Sequence, residues 1–495
     1  MKLKFTFVLT LALVGFTGCA TAETPTTTNK PNVLFILVDD MGYMDIGANN
    51  PKCFYDTPNV DALAKRGVRF INGYAACPVC SPTRASILTG KYPQRTGITD
   101  YIGGPQPTNA RQPHKLLPAP YAEKLALTET TLAKAFKAQG YATFFTGKWH
   151  LGPTNYWPEN QGFDINIGGL DWGHPKTYFS PYGNPNLPDG LPGEHLPDRL
   201  ATETAKFISA NCDKPFLAYL SFYSVHTPLM ARADLQKKYE AKATALGGDE
   251  KSKWGKEHAS KVRLVQANAI YAGMVEAVDQ AVGKVLKALD DAGVSDHTII
   301  VFTSDNGGLS TSEGHPTSNL PLRGGKGWPY EGGVREPLIM FAPGVTSPGK
   351  TSDTVMTSPD FFPTLLELAH LPSPPPPHLD GMSFVKSLRG EKQERGPIFW
   401  HYPHYGNQGG APCGAVRDGD WKLIEWYEDN SVELYNLAND LGEKNNLAAT
   451  ESEKAKVLLK KLHDWRESVG AKMPTPNPHP AAKKTAAPAM SAVEE

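Results

Sequence analysis

The run Val33-Leu34-Phe35-Ile36-Leu37-Val38 is apolar at every position, the pattern of a strand buried on both faces, and it stops abruptly at Asp39-Asp40. The same arrangement recurs along the chain. Tyr141 to Phe145 leads to Gly147-Lys148-Trp149-His150, Pro215 to Val225 ends at His226-Thr227-Pro228, and Thr298 to Thr303 ends at Ser304-Asp305-Asn306-Gly307-Gly308. Between these runs the spacing becomes helical: Thr57 to Arg66 stopped by Gly67, Thr128 to Gln139 stopped by Gly140, and a long amphipathic stretch from Lys261 to Asp291. Val68 to Ile71 reads as a further short strand, and Asp360 to Ala369 as a further helix. Apolar strands alternating with helices predict an α/β fold with a mixed or parallel sheet. Each strand delivers polar residues at its carboxyl end, where such sheets place their sites.

The pattern changes after Pro372 to Pro377, which reads as a stiff linker. From about Pro397, short alternating runs separated by turn residues (Asp418-Gly419, Trp421 to Tyr427, Asp429-Asn430, Val432 to Leu437) predict a small antiparallel sheet. An amphipathic helix, Ser452 to Val469, is expected to cover it. Residues 471–495, rich in Pro, Ala and Lys, are expected to be disordered. At the other end, Lys2 and Lys4 precede an apolar run from Phe5 to Phe16, too short for a comfortable membrane span, so residues 1–22 read as an export signal. Phe16-Thr17-Gly18-Cys19 would leave a lipid anchor on Cys19, whereas Ala20-Thr21-Ala22 offers ordinary cleavage. The expected organisation is a signal (1–22), a large domain (23–390), a small α+β subdomain (391–470) and a tail (471–495). The expected location is the periplasm, the outer-membrane or cell surface, or the medium.

With 495 residues, 40% hydrophobic and 20% charged, the chain can fill a large core. Its net charge of −1 gives no footing for nucleic acid, so an anionic ligand must be met by local cations. Beyond the leader, Cys53, Cys77, Cys80, Cys212 and Cys413 remain, and their pairing cannot be assigned from sequence. The reactive stretch is Cys80-Ser81-Pro82-Thr83-Arg84. Ser81 can cap a helix that Pro82 opens and Gly90 ends, which would leave Cys80 just outside an N-terminus where free N–H groups and the dipole favour an anion. Arg84, four residues on, can fold its guanidinium back over Cys80, giving a site for a tetrahedral oxyanion. Cys77-Pro78-Val79-Cys80 also fits a C-x-x-C redox or zinc pair, but no second ligand pair stands at zinc spacing. Asp39, Asp40, Asp305 and Asn306 offer only hard oxygen donors, which favour calcium or magnesium.

Cys80-x-Pro82-x-Arg84 followed by Thr89-Gly90 resembles the signature of the formylglycine-dependent sulfatases. Gly140 to His150 is similar to that family's second signature, with Thr146 a departure where a small or aliphatic residue is commoner. Thr57-Pro58-Asn59-Val60-Asp61 and Glu433-Leu434-Tyr435-Asn436-Leu437 extend the resemblance from about Asn32 to Leu447. It implies an alkaline-phosphatase-like sandwich: a large mixed, mostly parallel sheet flanked by helices, with a small C-terminal antiparallel sheet. It also implies hydrolysis of sulfate esters, with Cys80 oxidised by a maturation enzyme to an aldehyde (3-oxoalanine). One hydroxyl of the aldehyde hydrate attacks sulfur, and the other, once deprotonated, expels sulfate. The metal, calcium most often with magnesium an alternative, would sit among Asp39, Asp40, Asp305, Asn306 and the hydrate at Cys80. The catalytic set carried over is Cys80, Arg84, Lys148, His150, His226 and Lys326. Lys148 would hold sulfate and His150 take a proton from the hydrate, while His226 or Lys326 protonates the departing alcohol. Loop residues Trp172, His174, Tyr178, His315, Arg323, His401 and His404 are candidates for substrate contact. The expected substrate is a sulfated polysaccharide or oligosaccharide. The alternatives are a phosphate mono- or diester hydrolase of the same superfamily, or a lipoprotein that binds sulfated glycan without turnover.

Overall fold

The apolar run at the start of the chain becomes the strand Asn32–Val38, buried at every position and central in an eight-stranded sheet. The computed structural model describes residues 30–109, 114–247, 249–372 and 379–480. The strand order is Lys350–Ser352, Val68–Phe70, Leu338–Phe341, Thr298–Ser304, Asn32–Val38, Phe216–Ser221, Ala142–Gly147, Ile165–Ile167. All neighbours pair parallel except those of Leu338–Phe341, which is antiparallel to both its partners. Strict alternation divides the central strand between two cores. Leu34, Ile36 and Val38 pack with the helix Ala269–Asp291, and Val33, Phe35 and Leu37 pack with the helices Cys80–Thr89 and Phe361–Leu368.

The C-terminal region forms the four-stranded antiparallel sheet Ile398–Tyr402, Cys413–Asp418, Trp421–Trp426, Ser431–Asn436, with the helix Ser452–Ser468 against it. It is tied to the large domain by buried polar contacts. Lys422 Nζ lies 2.9 Å from Glu331 and 3.0 Å from Glu443, and the Trp400 indole donates to the Ala75 carbonyl.

Several elements differ from their sequence expectation. The helix expected from Lys261 begins at Ala269, because Asn268 accepts from the Tyr271 N–H and caps it, while Trp254–Glu257 and Ser260–Arg263 form a hairpin ahead of it. The helix expected from Thr128 is only Leu132–Lys137, started by a Thr131 side-chain cap. Part of the expected disordered tail is ordered: Thr475–Pro476 pairs with Leu116–Leu117, and the Asn477 N–H donates to the Lys115 carbonyl. The export signal and possible anchor at Cys19, the linker residues 373–378 and the tail from 481 onward lie outside the described residues. Among the described helices, none is long and apolar enough to cross a membrane. Cys53, Cys77, Cys80 and Cys413 form no disulfide among the described residues, and Cys77 packs into an aromatic cluster with Tyr74 and Trp328.

Candidate active site

Parallel register brings the polar strand ends together. Val38 lies opposite Ser304, Leu37 opposite Ser221, and Gly147 opposite Ser221, so the next residues (Asp39, Asp305 and Lys148) emerge side by side. The junctions are tight. The Lys148 N–H donates to the Ser221 carbonyl at 2.8 Å, and a Cβ at Gly147 (φ 98°) would collide with that same oxygen, so only glycine fits there. Asp40 (φ 60°) and His150 (φ 56°) hold the left-handed conformation without being glycine, strain of a kind that clusters at functional sites.

The helix Cys80–Thr89 is buried along its whole length, and Gly90 (φ 70°) ends it as expected. Its start is different from the expectation. Val79, not Ser81, is the N-cap residue, and Cys80 is the first helical residue rather than lying outside. The reason is that the Ser81 hydroxyl has other partners: it donates to the His150 carbonyl (3.0 Å) and accepts from the Ile102 N–H (3.1 Å). Pro82, third in the helix, still falls among positions whose N–H has no intrahelical acceptor.

Arg84 also departs from the expected pose. Its donors engage the carboxylates beneath Cys80 instead of folding over the sulfur. Nε donates to Asp305 (2.8 Å), Nη1 to the Lys148 carbonyl (2.9 Å) and Ser221 Oγ (2.8 Å), and Nη2 lies 2.7 Å from Asp305 and 3.2 Å from Asp39. With no donor left for an incoming anion, Arg84 organises the acidic cluster.

Lys148 Nζ donates to both oxygens of Asp39 (2.9 and 2.7 Å), and Lys326 Nζ to Asp40 Oδ2 (2.9 Å). Burial alone would push Asp40 up, but the Lys326 ammonium, with Lys148 and the Asn306 amide, holds it well below the usual carboxylate range. Burial lowers Lys326 as well, yet Asp40 and then Glu313 outweigh it and keep the ammonium protonated. Burial pushes Asp39 up, against the pull of Lys148. Oxygens of Asp39, Asp40 and Asp305 lie within 4.8 Å of one another, and Asn306 donates to Asp40 Oδ1 (2.7 Å). The other side-chain polar atom of Asn306, Oδ1, is buried and has no hydrogen-bond partner among the described residues. An orphaned carbonyl oxygen beside three carboxylates is a donor set that suits a hard divalent cation.

His150 Nε2 lies 2.9 Å from the Ile102 carbonyl, which can only accept, so Nε2 carries the hydrogen. That leaves the Nδ1 lone pair facing Cys80 Sγ at 3.4 Å. Burial and the Lys148 charge hold His150 well below its ordinary pKa, so the imidazole is neutral and able to take a proton. By the same reasoning His226, whose Nδ1 lies 2.9 Å from the Thr227 carbonyl, turns a free Nε2 toward Asp40 (3.6 Å). Burial and Lys326 keep it neutral. Burial also pushes the Cys80 thiol up, so the unmodified side chain is not a thiolate.

Cys80, His150, His226 and Lys326 line a cavity of about 440 Å³ together with Tyr101, Asp171, His174, Glu313, Asn407 and Gln408. Of the expected substrate contacts, His174 is on this lining, its ring roughly parallel to that of His226 at 6.1 Å. Trp172 lies between two lining residues, with its ring under the Lys176 ammonium. The others serve elsewhere. Tyr178 is fully buried and donates to the Tyr223 and His226 carbonyls, bracing the His226 loop. His315 packs edge-on against Trp254. Arg323 is bonded to Glu257, Tyr435 and the Glu443 carbonyl, joining the domains. His401 is held between the Tyr427 hydroxyl and the Lys472 carbonyl. His404 is buried beside Thr99 and Asp100, on a smaller adjoining cavity. Glu313, Asp171, Asn407 and Gln408 were not anticipated: each is a loop residue with no motif or periodicity to mark it.

Residues 31–371 match the family model described as Sulfatase, and residues 325–469 match that described as N-sulphoglucosamine sulphohydrolase, C-terminal. A sulfatase of Formosa agariphila is 32% identical over 519 residues, covering 90% of this chain and 90% of its own length. The N-acetylgalactosamine-6-sulfatase of Homo sapiens is 31% identical over 444 residues, covering 84% of this chain and 76% of that one. Among solved structures, Ps i-CgsB in complex with k-i-k-neocarrahexaose is similar with a TM-score of 0.72 at 27% identity, covering 91% of this chain and 94% of that chain.

Proposed function

The chain belongs to the sulfatase family and is a sulfuric ester hydrolase, and from that premise we propose that it is an exported carbohydrate sulfatase whose nucleophile is a formylglycine made from Cys80. Its fold is that of the alkaline-phosphatase-like superfamily. The observation that carries the reading is the convergence of Cys80, His150, Lys326 and His226 on one open cavity, next to a buried Lys148–Asp39 pair, three carboxylates and an orphaned amide oxygen.

Conversion of Cys80 by a maturation enzyme replaces a thiol that burial keeps protonated with an aldehyde whose hydrate offers oxygen nucleophiles. Asp39, Asp40, Asp305 and Asn306 would hold the metal, calcium in this proposal, which would supply Lewis acidity to the reaction. Lys148 and Lys326 bring two ammonium groups to the sulfate, a role Arg84 is too fully engaged to share. His150 Nδ1 takes the proton that must leave the hydrate when sulfate departs. Lys326 stays protonated and lines the cavity, so it is the donor to the departing alcohol, while the neutral His226 accepts at Nε2. Support for a carbohydrate substrate comes from the relatives: one is an N-acetylgalactosamine-6-sulfatase, and one solved structure holds a neocarrahexaose. Residues 1–22 would direct the chain out of the cytoplasm, with Cys19 as a lipid anchor at the periplasmic or cell surface, or free secretion after cleavage at Ala22.

The test is sulfate release from a panel of sulfated mono- and oligosaccharides, with an aryl phosphate as control. The protein is made alongside a maturation enzyme, and mass spectrometry of the Cys80 peptide establishes the aldehyde. Cys80→Ala is expected to abolish turnover while keeping the fold. Release near the wild-type rate from that variant would overturn the mechanism, and preferential attack on the phosphate would overturn the assignment to sulfate.

A further inference from the structure

Glu313 is a carboxylate standing in an anion-binding cavity, where it opposes the ligand the cavity is built to hold. It lies in the loop after Asp305-Asn306, in the left-handed conformation (φ 53°), with its side chain 17% exposed. Two amides from the small domain fix one oxygen: Gln408 Nε2 donates to Oε1 at 2.7 Å and Asn407 Nδ2 at 3.2 Å. The other oxygen, Oε2, is 4.0 Å from His226 Nε2, on the side of the cavity that carries Lys326 and His226. Asp171 adds a second carboxylate to the rim. The cavity therefore has one ammonium on its wall, Lys326, facing two carboxylates, Glu313 and Asp171. Such a rim weakens attraction for sulfate as such, so its use lies in what surrounds the sulfate.

Resting on the sulfatase reading above, we propose that Glu313 selects the sugar. Its Oε2 accepts a hydrogen bond from a ring hydroxyl next to the sulfate ester and, with Asp171, repels a second anion on the same ring. The substrate class is then a neutral sugar unit carrying one sulfate, not a uronic acid or a disulfated ring. A fixed acceptor that loses its hydroxyl partner rejects the analogue strongly, because the oxygen is left desolvated and unpaired. Like charges across a partly buried cavity reject the disulfate by the same order, tenfold or more.

The experiment compares galactose 4-sulfate, galactose 6-sulfate and galactose 4,6-disulfate as substrates of the matured protein and its Glu313→Gln variant. Binding of the same three sugars to Cys80→Ala and to Cys80→Ala/Glu313→Gln is measured by calorimetry, so selectivity is read without turnover. Glutamine keeps the shape and still accepts from Gln408 and Asn407, so the loop is retained. The expected result is a preference of the wild type for a monosulfate over the disulfate. In Glu313→Gln, that ratio falls by about tenfold or more, in kcat/KM and in affinity alike. A variant that loses equally on all three sugars, with the ratio unchanged, would place Glu313 in service of Lys326 or the metal and overturn the proposal. So would a wild type that prefers the disulfate. Sulfate-independent binding, or no hydrolysis of any sulfate ester by the aldehyde-bearing protein, would instead sink the sulfatase reading on which it rests.

Discussion

Replacing Arg84 by lysine keeps a positive charge but removes the planar fork that holds the carboxylates in place. The guanidinium reaches groups on or just beyond four parallel strands: Asp39, Lys148, Ser221 and Asp305, at 2.7 to 3.2 Å. A lysine ammonium presents its donors from one point and cannot span them. Loss of two charge-assisted hydrogen bonds, roughly 1.5–3 kcal/mol each, predicts a destabilisation of about 3–6 kcal/mol for Arg84→Lys. Arg84→Ala also removes the charge, leaving the buried Asp305 without its ion pair and Asp39 with Lys148 alone, so its cost should exceed that and consume much of a total stability of about 5–15 kcal/mol. Guanidinium unfolding of the metal-free and calcium-saturated proteins, with sulfate release measured in parallel, tests this. Calcium should restore more stability to Arg84→Ala than to wild type, because it neutralises the buried negative charge that Arg84 no longer balances. If Arg84→Lys unfolds within about 1 kcal/mol of wild type with and without calcium, the worth of an exposed ion pair, the fork is not what organises the site.

Two further outcomes follow from the buried acids. Calcium at a hundred times its dissociation constant should stabilise the protein by about 2.7 kcal/mol, a rise in melting temperature that a chelator reverses together with activity and that Asp40→Asn loses; an unchanged melting temperature on chelation would count against a metal at this site. Burial pushes Asp100 up to about 8, with Oδ1 accepting from Tyr402 and the Tyr101 N–H and Oδ2 left 3.6 Å from His404. A carboxyl raised in the folded state favours folding while it is protonated, so stability should fall as pH rises from about 4 toward 8, by an order of 5 kcal/mol in total. Asp100→Asn, which keeps the acceptor and supplies an N–H toward His404, should flatten that slope in urea unfolding between pH 5 and 8; a wild type equally stable across the range would contradict it.

Legibility followed the range of the interactions. The strand Asn32–Val38 and the left-handed stop at Gly90 were readable because burial on both faces and a positive φ leave marks on adjacent residues. The antiparallel strands Ile398–Tyr402 and Cys413–Asp418 were missed as individual elements, since their partners, not their own alternation, define them. Tyr178, Arg323 and His401 looked like loop residues free to meet a sugar, yet each binds backbone or side chains that fold beside it from far along the chain. Glu313 carried no local signal at all.

The order of residues alone determined that polar groups would gather at the carboxyl edge of a buried sheet, and which oxygen, nitrogen and sulfur atoms would be there. Those choices rest on short-range periodicity and on the elements' own chemistry. Only the folded chain decided that Arg84 serves the carboxylates and leaves Cys80 to His150, and that the small domain's Asn407 and Gln408 hold the Glu313 carboxylate on the cavity wall. Parallel register and domain packing set those distances, and neither is written in any single stretch of sequence.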